Sequence, residues 1–179
     1  MFRSKHKITI AKPALEEIFD ECDQYDSHET GGRLIGTFQK KGSHYDIQVL
    51  GVIGPGPDAR RSATSFFQDG DYQERVFRQI EEKHPNIEHL GNWHTHHVNG
   101  LPTLSQGDHA TYHRIVNHDK HNTDFFYALL VVKKNHGAAL QGLNRFPAGE
   151  AVRGVPCWLR FEIQASAFAV HATPTEECL

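Results

Sequence analysis

Cysteine is scarce in this sequence, and its placement argues against a disulfide framework. The chain has 179 residues and three cysteines, Cys22, Cys157 and Cys178, with no C-x-x-C pair among them. An odd and widely spaced set of cysteines is typical of a reducing compartment. We therefore expect a cytoplasmic location.

Long apolar runs are also missing. The longest run, YALLVV at residues 127–132, is far shorter than the roughly 20 residues that a membrane-spanning helix needs. The first residues, MFRSKHKITI, lack the apolar segment of a secretory signal. We expect no membrane attachment.

The chain has no excess of positive charge. Its net charge is -3 and its pI is near 6.5, which disfavours nucleic-acid binding. With 38% hydrophobic and 23% charged residues it has the composition of an ordinary globular protein. Its length suits one domain, which we place at residues 1–172, followed by a loose tail at 173–179.

Histidine is the residue type in excess, with 14 copies. Imidazole is a common ligand of zinc, copper, iron and nickel. The excess favours a metal site but does not locate it.

Hydrophobic periodicity and turn residues predict a mixture of strands and helices. Helices are predicted at 13–25, 70–83 and 105–118, where Ala110, Ile115 and Val116 should face inward. The predicted strands are 8–10, 33–38, 45–53, 87–96, 125–132, 138–146 and 155–163. The segment 54–68, rich in Gly and Pro, should be an irregular surface loop. This order predicts an α/β protein, an α+β sandwich of layers.

The pair His94 and His96 ends a predicted strand. Side chains at i and i+2 of a strand share a face, so both imidazoles can meet one ion. Two unrelated histidines in a histidine-rich chain are the alternative. Trp93 should point the opposite way, into the core.

Ser105-x-x-Asp108 begins a predicted helix. This spacing is a capping box, in which serine and an acidic residue satisfy the first helical N–H groups. A carboxylate is also an acceptable third zinc ligand. The two interpretations are compatible, because a capped first turn would aim Asp108 toward the histidines.

Glu29 precedes Thr30, Gly31 and Gly32. A solvated loop glutamate is the simple interpretation. Two glycines without Cβ atoms, however, let other groups approach the backbone closely, as a functional site requires.

Together these segments resemble the JAMM (JAB/MPN) zinc metallopeptidases, whose pattern is a distant Glu, then H-x-H, then S-x-x-D. The flanks E-T-G-G-R-L-I-G-T-F and G-N-W-H-T-H are also similar to that family. The resemblance implies the MPN/JAB fold, a cytidine-deaminase-like mixed β-sheet flanked by three helices. It also implies one catalytic zinc ion bound by His94, His96 and Asp108, with Glu29 as general base and Ser105 as oxyanion donor.

The resemblance covers roughly residues 6–146, with two departures. His97 stands where many members have proline, and eight residues separate His96 from Ser105, about one more than in many eukaryotic members. Both lie in the loop, where they leave the ligands intact and put substrate entry in question.

The stretch Gly54-Pro55-Gly56-Pro57…Arg60-Arg61-Ser62 resembles the bacterial branch of the family, and this resemblance implies a substrate. It would be an amide or isopeptide bond after the C-terminus of a ubiquitin-like protein, in a pathway with E1-like and E2-like partners, with antiphage defence as a role. A non-catalytic MPN scaffold and a peptidase that trims a modifier or sulfur-carrier protein remain open. A nucleoside deaminase is excluded, because H-x-E and P-C-x-x-C are absent.

The 54–68 loop is a candidate clamp for the extended substrate tail. Phe66 and Phe67 would pack on it, and Arg60 and Arg61 would meet its acidic groups. Core phenylalanines and solvated arginines are the alternative.

Other histidines form a rival set. His109 and His113 have i, i+4 spacing beside Asp108, although surface or outer-shell roles are favoured. His97 can face the cleft or a second ion, and His28 should be exposed.

Overall fold

The computed structural model describes residues 7–42, 44–119, 121, 123, 125–133 and 161–169. Within these ranges the helices are α1 (Lys12–Gln24), α2 (Gly70–Lys83) and α3 (Gln106–Val116). The strands are β1 (Lys7–Ile10), β2 (Gly31–Lys41), β3 (His44–Ile53), β4 (Arg60–Arg61), β5 (Phe66–Phe67), β6 (Glu88–Thr95), β7 (Phe125–Lys133) and β8 (Phe161–Ala169).

The main sheet is mixed. Its six strands lie in the order β1-β3-β2-β6-β7-β8, and β4 pairs with β5 in a separate hairpin. The pairs β1–β3 and β6–β7 are parallel, whereas β2–β3, β2–β6 and β7–β8 are antiparallel. The predicted mixed α/β architecture is confirmed, with β6 in the interior of the sheet between β2 and β7.

The helices cover both faces of the sheet. On β7, Phe125, Tyr127 and Leu129 belong to the core cluster that contains α1. The alternate residues Phe126 and Ala128 pack with α3. Because successive strand residues face opposite sides, α1 and α3 lie on opposite faces.

Helix α2 shares the α3 face. Phe77 of α2 packs with Ile35, which directly follows the α1-facing Leu34. His89 lies between the two helices' clusters, with its ring centroid 6.3 Å from Phe77 and 6.0 Å from Phe126. The layers are therefore α1, the sheet, and α2 with α3.

The helices follow local signals. Pro13 stands in the first turn of α1, whose buried residues are Ala14, Ile18, Phe19 and Cys22. The Asp69 side chain caps α2 by accepting from Tyr72 N.

One prediction for α3 is wrong, because Ala110 is exposed. At 3.6 residues per turn, Ala110 points away from the face set by the buried Tyr112 and Val116.

Other boundaries differ from the prediction. The segment 54–68 is not irregular throughout, since it contains the β4–β5 hairpin. The predicted strand 138–146 and the tail 173–179 lie outside the described residues. Of the predicted strand 155–163, residues 161–163 are described, and β8 continues to Ala169. No helix of the described part combines the length and the apolar character needed to cross a bilayer.

Candidate metal centre

The end of β6 supplies two imidazoles on one face of the sheet. His94 pairs with Leu130 on one side and with Gly31 on the other. His96 lies one residue beyond β6 and donates its N–H to Val131 O at 2.9 Å, so the extended backbone continues. Between them Thr95 points to the opposite face, where its Oγ1 accepts from Thr30 N at 3.0 Å.

The first turn of α3 supplies a carboxylate. The predicted capping box is present, because Asp108 N donates to Ser105 Oγ at 3.1 Å and Ser105 N donates to Asp108 Oδ2 at 2.7 Å. The Ser105 hydroxyl also donates to Asp108 Oδ2 at 2.6 Å. The cap thus fixes the Asp108 side chain. An oxyanion role for Ser105 requires its hydroxyl to turn from Asp108 toward the cleft.

These three side chains meet at one point. His94 Nε2 is 3.2 Å from His96 Nε2. The Asp108 oxygens are 3.4 Å from His94 Nε2 and 3.3 Å from His96 Nε2. In a tetrahedral zinc site with bonds of about 2.0–2.1 Å, neighbouring ligand atoms are separated by about 3.3 Å. The set therefore fits a zinc-sized ion, and it is the only such group of histidine, cysteine and acidic residues among the described residues.

The outer ring nitrogens have their own contacts. His96 Nδ1 lies 3.0 Å from Thr103 O, and a carbonyl can only accept. In the neutral form of His96 this contact favours the proton on Nδ1, which leaves Nε2 with a lone pair for a metal. His94 Nδ1 lies 2.9 Å from the Tyr112 hydroxyl. Such outer contacts are a regular feature of metal-binding histidines.

The local electrostatics favour a bound cation. Burial acts to raise the pKa of Asp108, but hydrogen bonds with His94, His96 and Ser105 hold that pKa well below its ordinary value. Burial acts to lower the pKa of His96, yet the hydrogen bond and charge of Asp108 raise it. Asp108 is thus held as an anion, the state in which a carboxylate binds metal, whereas His96 binds metal only in its neutral form.

Glu29 is buried beside this group, with 5% of its surface exposed. Its N–H donates to Ser62 O at 2.7 Å, and its Oε1 accepts from Asn99 Nδ2 at 2.6 Å. Burial raises the pKa of Glu29 above its ordinary value, and the Asp108 charge adds to this while His96 opposes it. A buried carboxylate with a raised pKa in a cleft is suited to accept and return a proton.

Glu29 and the three potential ligands line the same cleft, which has a volume of about 370 Å³. Its walls come from the β4–β5 segment and from the loop before α3. Two large hydrophobic residues at the cleft, Phe67 and Leu101, are 57% and 38% exposed. The site is therefore open to solvent and has apolar surface at its mouth.

The residues of the proposed clamp differ in their surroundings. Arg61 is bound within the chain: it forms an ion pair with Glu21 at 3.1 Å and lies 3.9 Å above the Tyr25 ring. Arg61 is thus paired with an acidic group of its own chain, and its contact with the acidic groups of a partner stays a prediction. Phe67 is exposed rather than in the core, and the Arg60 guanidinium lies 5.1 Å from its ring centroid.

The four other histidines singled out in the sequence lie outside the potential metal-binding group. His109 and His113 are exposed on α3, and neither belongs to the potential metal-binding group. His97 is buried and its Nε2 donates to Tyr25 O at 3.3 Å, toward the end of α1. His28 is exposed, as predicted.

Two side chains at the site have no role in the sequence interpretation. Asn99 stands in an Asn-Gly turn, where Leu101 N donates to its Oδ1 at 2.9 Å and leaves Nδ2 to face Glu29. Tyr112 follows Asp108 by four residues, which places both on one helical face. The Asn-Gly turn and the four-residue spacing can be recognised in the sequence, but neither predicts the contact with Glu29 or with His94.

Comparisons with known proteins give partial similarity. No family model matches the chain. A relative from Escherichia coli (strain TW11681), named CD-NTase/cGAS isopeptidase, is 34% identical over 73 residues, which is 40% of this chain. The chain matches 44% of that relative's length. The solution structure of protein DSY2949 from Desulfitobacterium hafniense is 21% identical, with a TM-score of 0.46, and the match covers 70% of this chain and 74% of that one.

Proposed function

We propose that this chain is a zinc-dependent isopeptidase of the JAMM type with the MPN/JAB fold. One observation carries the proposal: His94, His96 and Asp108 converge with tetrahedral spacing on a cleft that also contains the buried Glu29. Three protein ligands with one open position are the catalytic form of a zinc site. The similarity to a protein named as an isopeptidase supports a hydrolase.

A zinc ion held there would supply Lewis acidity and make a water nucleophilic near neutral pH. Glu29 accepts a proton from that water and returns it to the leaving amine. Asn99 holds one oxygen of Glu29, which leaves the other for the proton. Ser105, once turned from Asp108, donates to the developing oxyanion; such a donor is typically worth about 3 kcal/mol.

The proposed substrate is an amide or isopeptide bond after the C-terminus of a ubiquitin-like protein. An extended tail can lie along the cleft as an added strand, with Phe67 and Leu101 beside its apolar residues. E1-like and E2-like proteins of the same operon are the proposed partners, and antiphage defence in the cytoplasm is the proposed setting. The E. coli relative's name, which joins isopeptidase to CD-NTase/cGAS, supports that setting.

A non-catalytic scaffold is the second candidate. It is disfavoured because His94, His96 and Asp108 form a group that could hold a metal ion, and the buried Glu29 lies beside it. Trimming of a modifier's C-terminus would use the same residues, so only the substrate separates it from isopeptide cleavage.

The test uses wild type, Glu29→Ala, His94→Ala and the matched control His109→Ala. Bound zinc is measured by elemental analysis, and cleavage is measured on ubiquitin-like proteins fused through their C-termini to a reporter. We expect about one zinc per chain in all but His94→Ala, and cleavage only by wild type and His109→Ala. Full zinc in His94→Ala would contradict the ligand assignment. Full zinc in wild type without cleavage of any fusion would favour the scaffold.

A further inference from the structure

The two histidines of the candidate metal centre are held in different ways. His96 Nδ1 faces the backbone carbonyl of Thr103, a group that a side-chain substitution does not remove. His94 Nδ1 instead faces a side chain, the Tyr112 hydroxyl, at 2.9 Å. The orientation of His94 therefore depends on one oxygen atom of another residue.

The hydroxyl oxygen of Tyr112 influences which ring nitrogen of His94 carries the proton. A neutral imidazole has one protonated nitrogen and one lone pair. His94 Nε2 lies 3.2 Å from His96 Nε2 and 3.4 Å from Asp108 Oδ1, so Nε2 is the atom that would bind a metal. Its lone pair is available when Nδ1 carries the proton and Tyr112 Oη accepts it.

The hydroxyl is placed firmly. Tyr112 is 5% exposed, and its ring stacks on Phe126 with centroids 5.2 Å apart and an interplanar angle of 28°. It lies one turn after Asp108 on α3, whose first turn is fixed by Ser105. The same helix thus supplies one ligand and the support for another.

We propose that Tyr112 is a positioning residue of the metal centre: its hydroxyl oxygen accepts the Nδ1 proton of His94 and directs the Nε2 lone pair toward the ion. This rests on the proposed metal binding at His94, His96 and Asp108, but not on peptidase activity. Removal of an outer contact of this kind typically weakens metal binding by roughly 10–100-fold.

The test compares Tyr112→Phe with Tyr127→Phe. Tyr112→Phe removes only the hydroxyl and keeps the ring that packs on Phe126. Tyr127→Phe makes the same chemical change at another buried tyrosine, on β7, outside the cleft lining. The probes are zinc, in competition with a chromogenic chelator, and Co²⁺, by its visible absorption spectrum.

We expect zinc affinity to fall by roughly 10–100-fold in Tyr112→Phe, with an altered Co²⁺ spectrum. Tyr127→Phe should match wild type in both measurements. Urea unfolding of the metal-free proteins shows that each variant is folded under the assay conditions.

Three results would overturn the proposal. In the first, Tyr112→Phe binds zinc within about twofold of wild type and its Co²⁺ spectrum is unchanged. In the second, Tyr127→Phe loses as much zinc affinity as Tyr112→Phe, which would indicate a general effect of lowered protein stability. In the third, wild type binds neither ion, which also removes the metal basis of the proposed function. Wild type that binds zinc but cleaves nothing leaves the role of Tyr112 intact.

Discussion

Gly31 is the position at which a single added methyl group should damage both the fold and the metal centre. It lies on β2 opposite His94 of β6. A Cβ at this position would be 2.4 Å from Trp93 O, 2.7 Å from Phe66 Cε1 and 3.0 Å from His94 Cα. The Phe66 ring can turn, but the other two atoms belong to the backbone of β6. We therefore expect Gly31→Ala to push β6 away from β2.

The size of that movement decides the effect. Bringing the Trp93 contact to 3.0 Å requires about 0.6 Å more separation between the strands. Ligand distances in a well-formed metal site lie within about 0.2 Å of their standard values. Overpacking of this kind costs about 1–3 kcal/mol of stability. Gly31→Ala should thus lose stability of that order, and its zinc affinity should fall because His94 moves with β6.

The assay is urea unfolding of the metal-free protein, together with zinc competition against a chelator. Gly54→Ala is the matched control, because a Cβ there has no heavy atom within 4 Å. The control should be neutral or slightly stabilised. If Gly31→Ala keeps both the unfolding midpoint and the zinc affinity of wild type, the close approach of β2 and β6 at His94 is refuted.

Three further predictions concern single side chains. Burial, and then the charge of Arg33, lowers the pKa of His89 to about 4. The folded protein therefore disfavours the charged imidazole, and its free energy of unfolding should fall by up to about 3 kcal/mol as the pH drops from 6.5 toward 4. His89→Gln should flatten this slope in urea unfolding at stepped pH; an unchanged slope would refute it. Asn99→Ala frees the Glu29 carboxylate, so kcat should fall more than about tenfold at constant zinc content, whereas a change in KM alone would argue against positioning. Arg61→Gln removes the ion pair to Glu21, which keeps only its hydrogen bond from Thr30, and should cost about 1–3 kcal/mol. The exposed neighbour variant Arg60→Gln should stay near wild type in the same unfolding assay, and equal losses would contradict the pairing.

Local patterns were enough to predict the elements that carry the ligands. The period-two spacing of His94 and His96 places them on one face of a strand, and Ser105 with Asp108 marks a helix start. The glycines after Glu29 indicate close backbone approach, and the structure brings β6 against Gly31. Each signal lies within a few residues of the feature that it predicts.

Contacts between distant segments could not be read from the same patterns. Asn99 and Glu29 are 70 residues apart, and Arg61 and Glu21 are 40 apart. Asn99 and Glu29 meet because β6 lies beside β2, and no local period encodes that strand order. The prediction that Ala110 faces inward was wrong for a related reason. Its apolar character suggested burial, but the face of α3 was decided by Tyr112, which packs against β7.

The site divides into a rigid part and an adjustable part, and this division bears on how it can recognise a substrate. His94 lies in an interior strand with neighbours on both sides, and Asp108 is held by a capped helix. Phe67 instead lies in the short β4–β5 hairpin and Leu101 in the loop before α3, both exposed surface segments where sequence changes cost little stability. The potential metal ligands can therefore stay fixed while the cleft walls vary. For the proposed isopeptidase, we expect substrate preference to be set by Phe67 and Leu101 rather than by the potential ligands, which sequence patterns identify more readily.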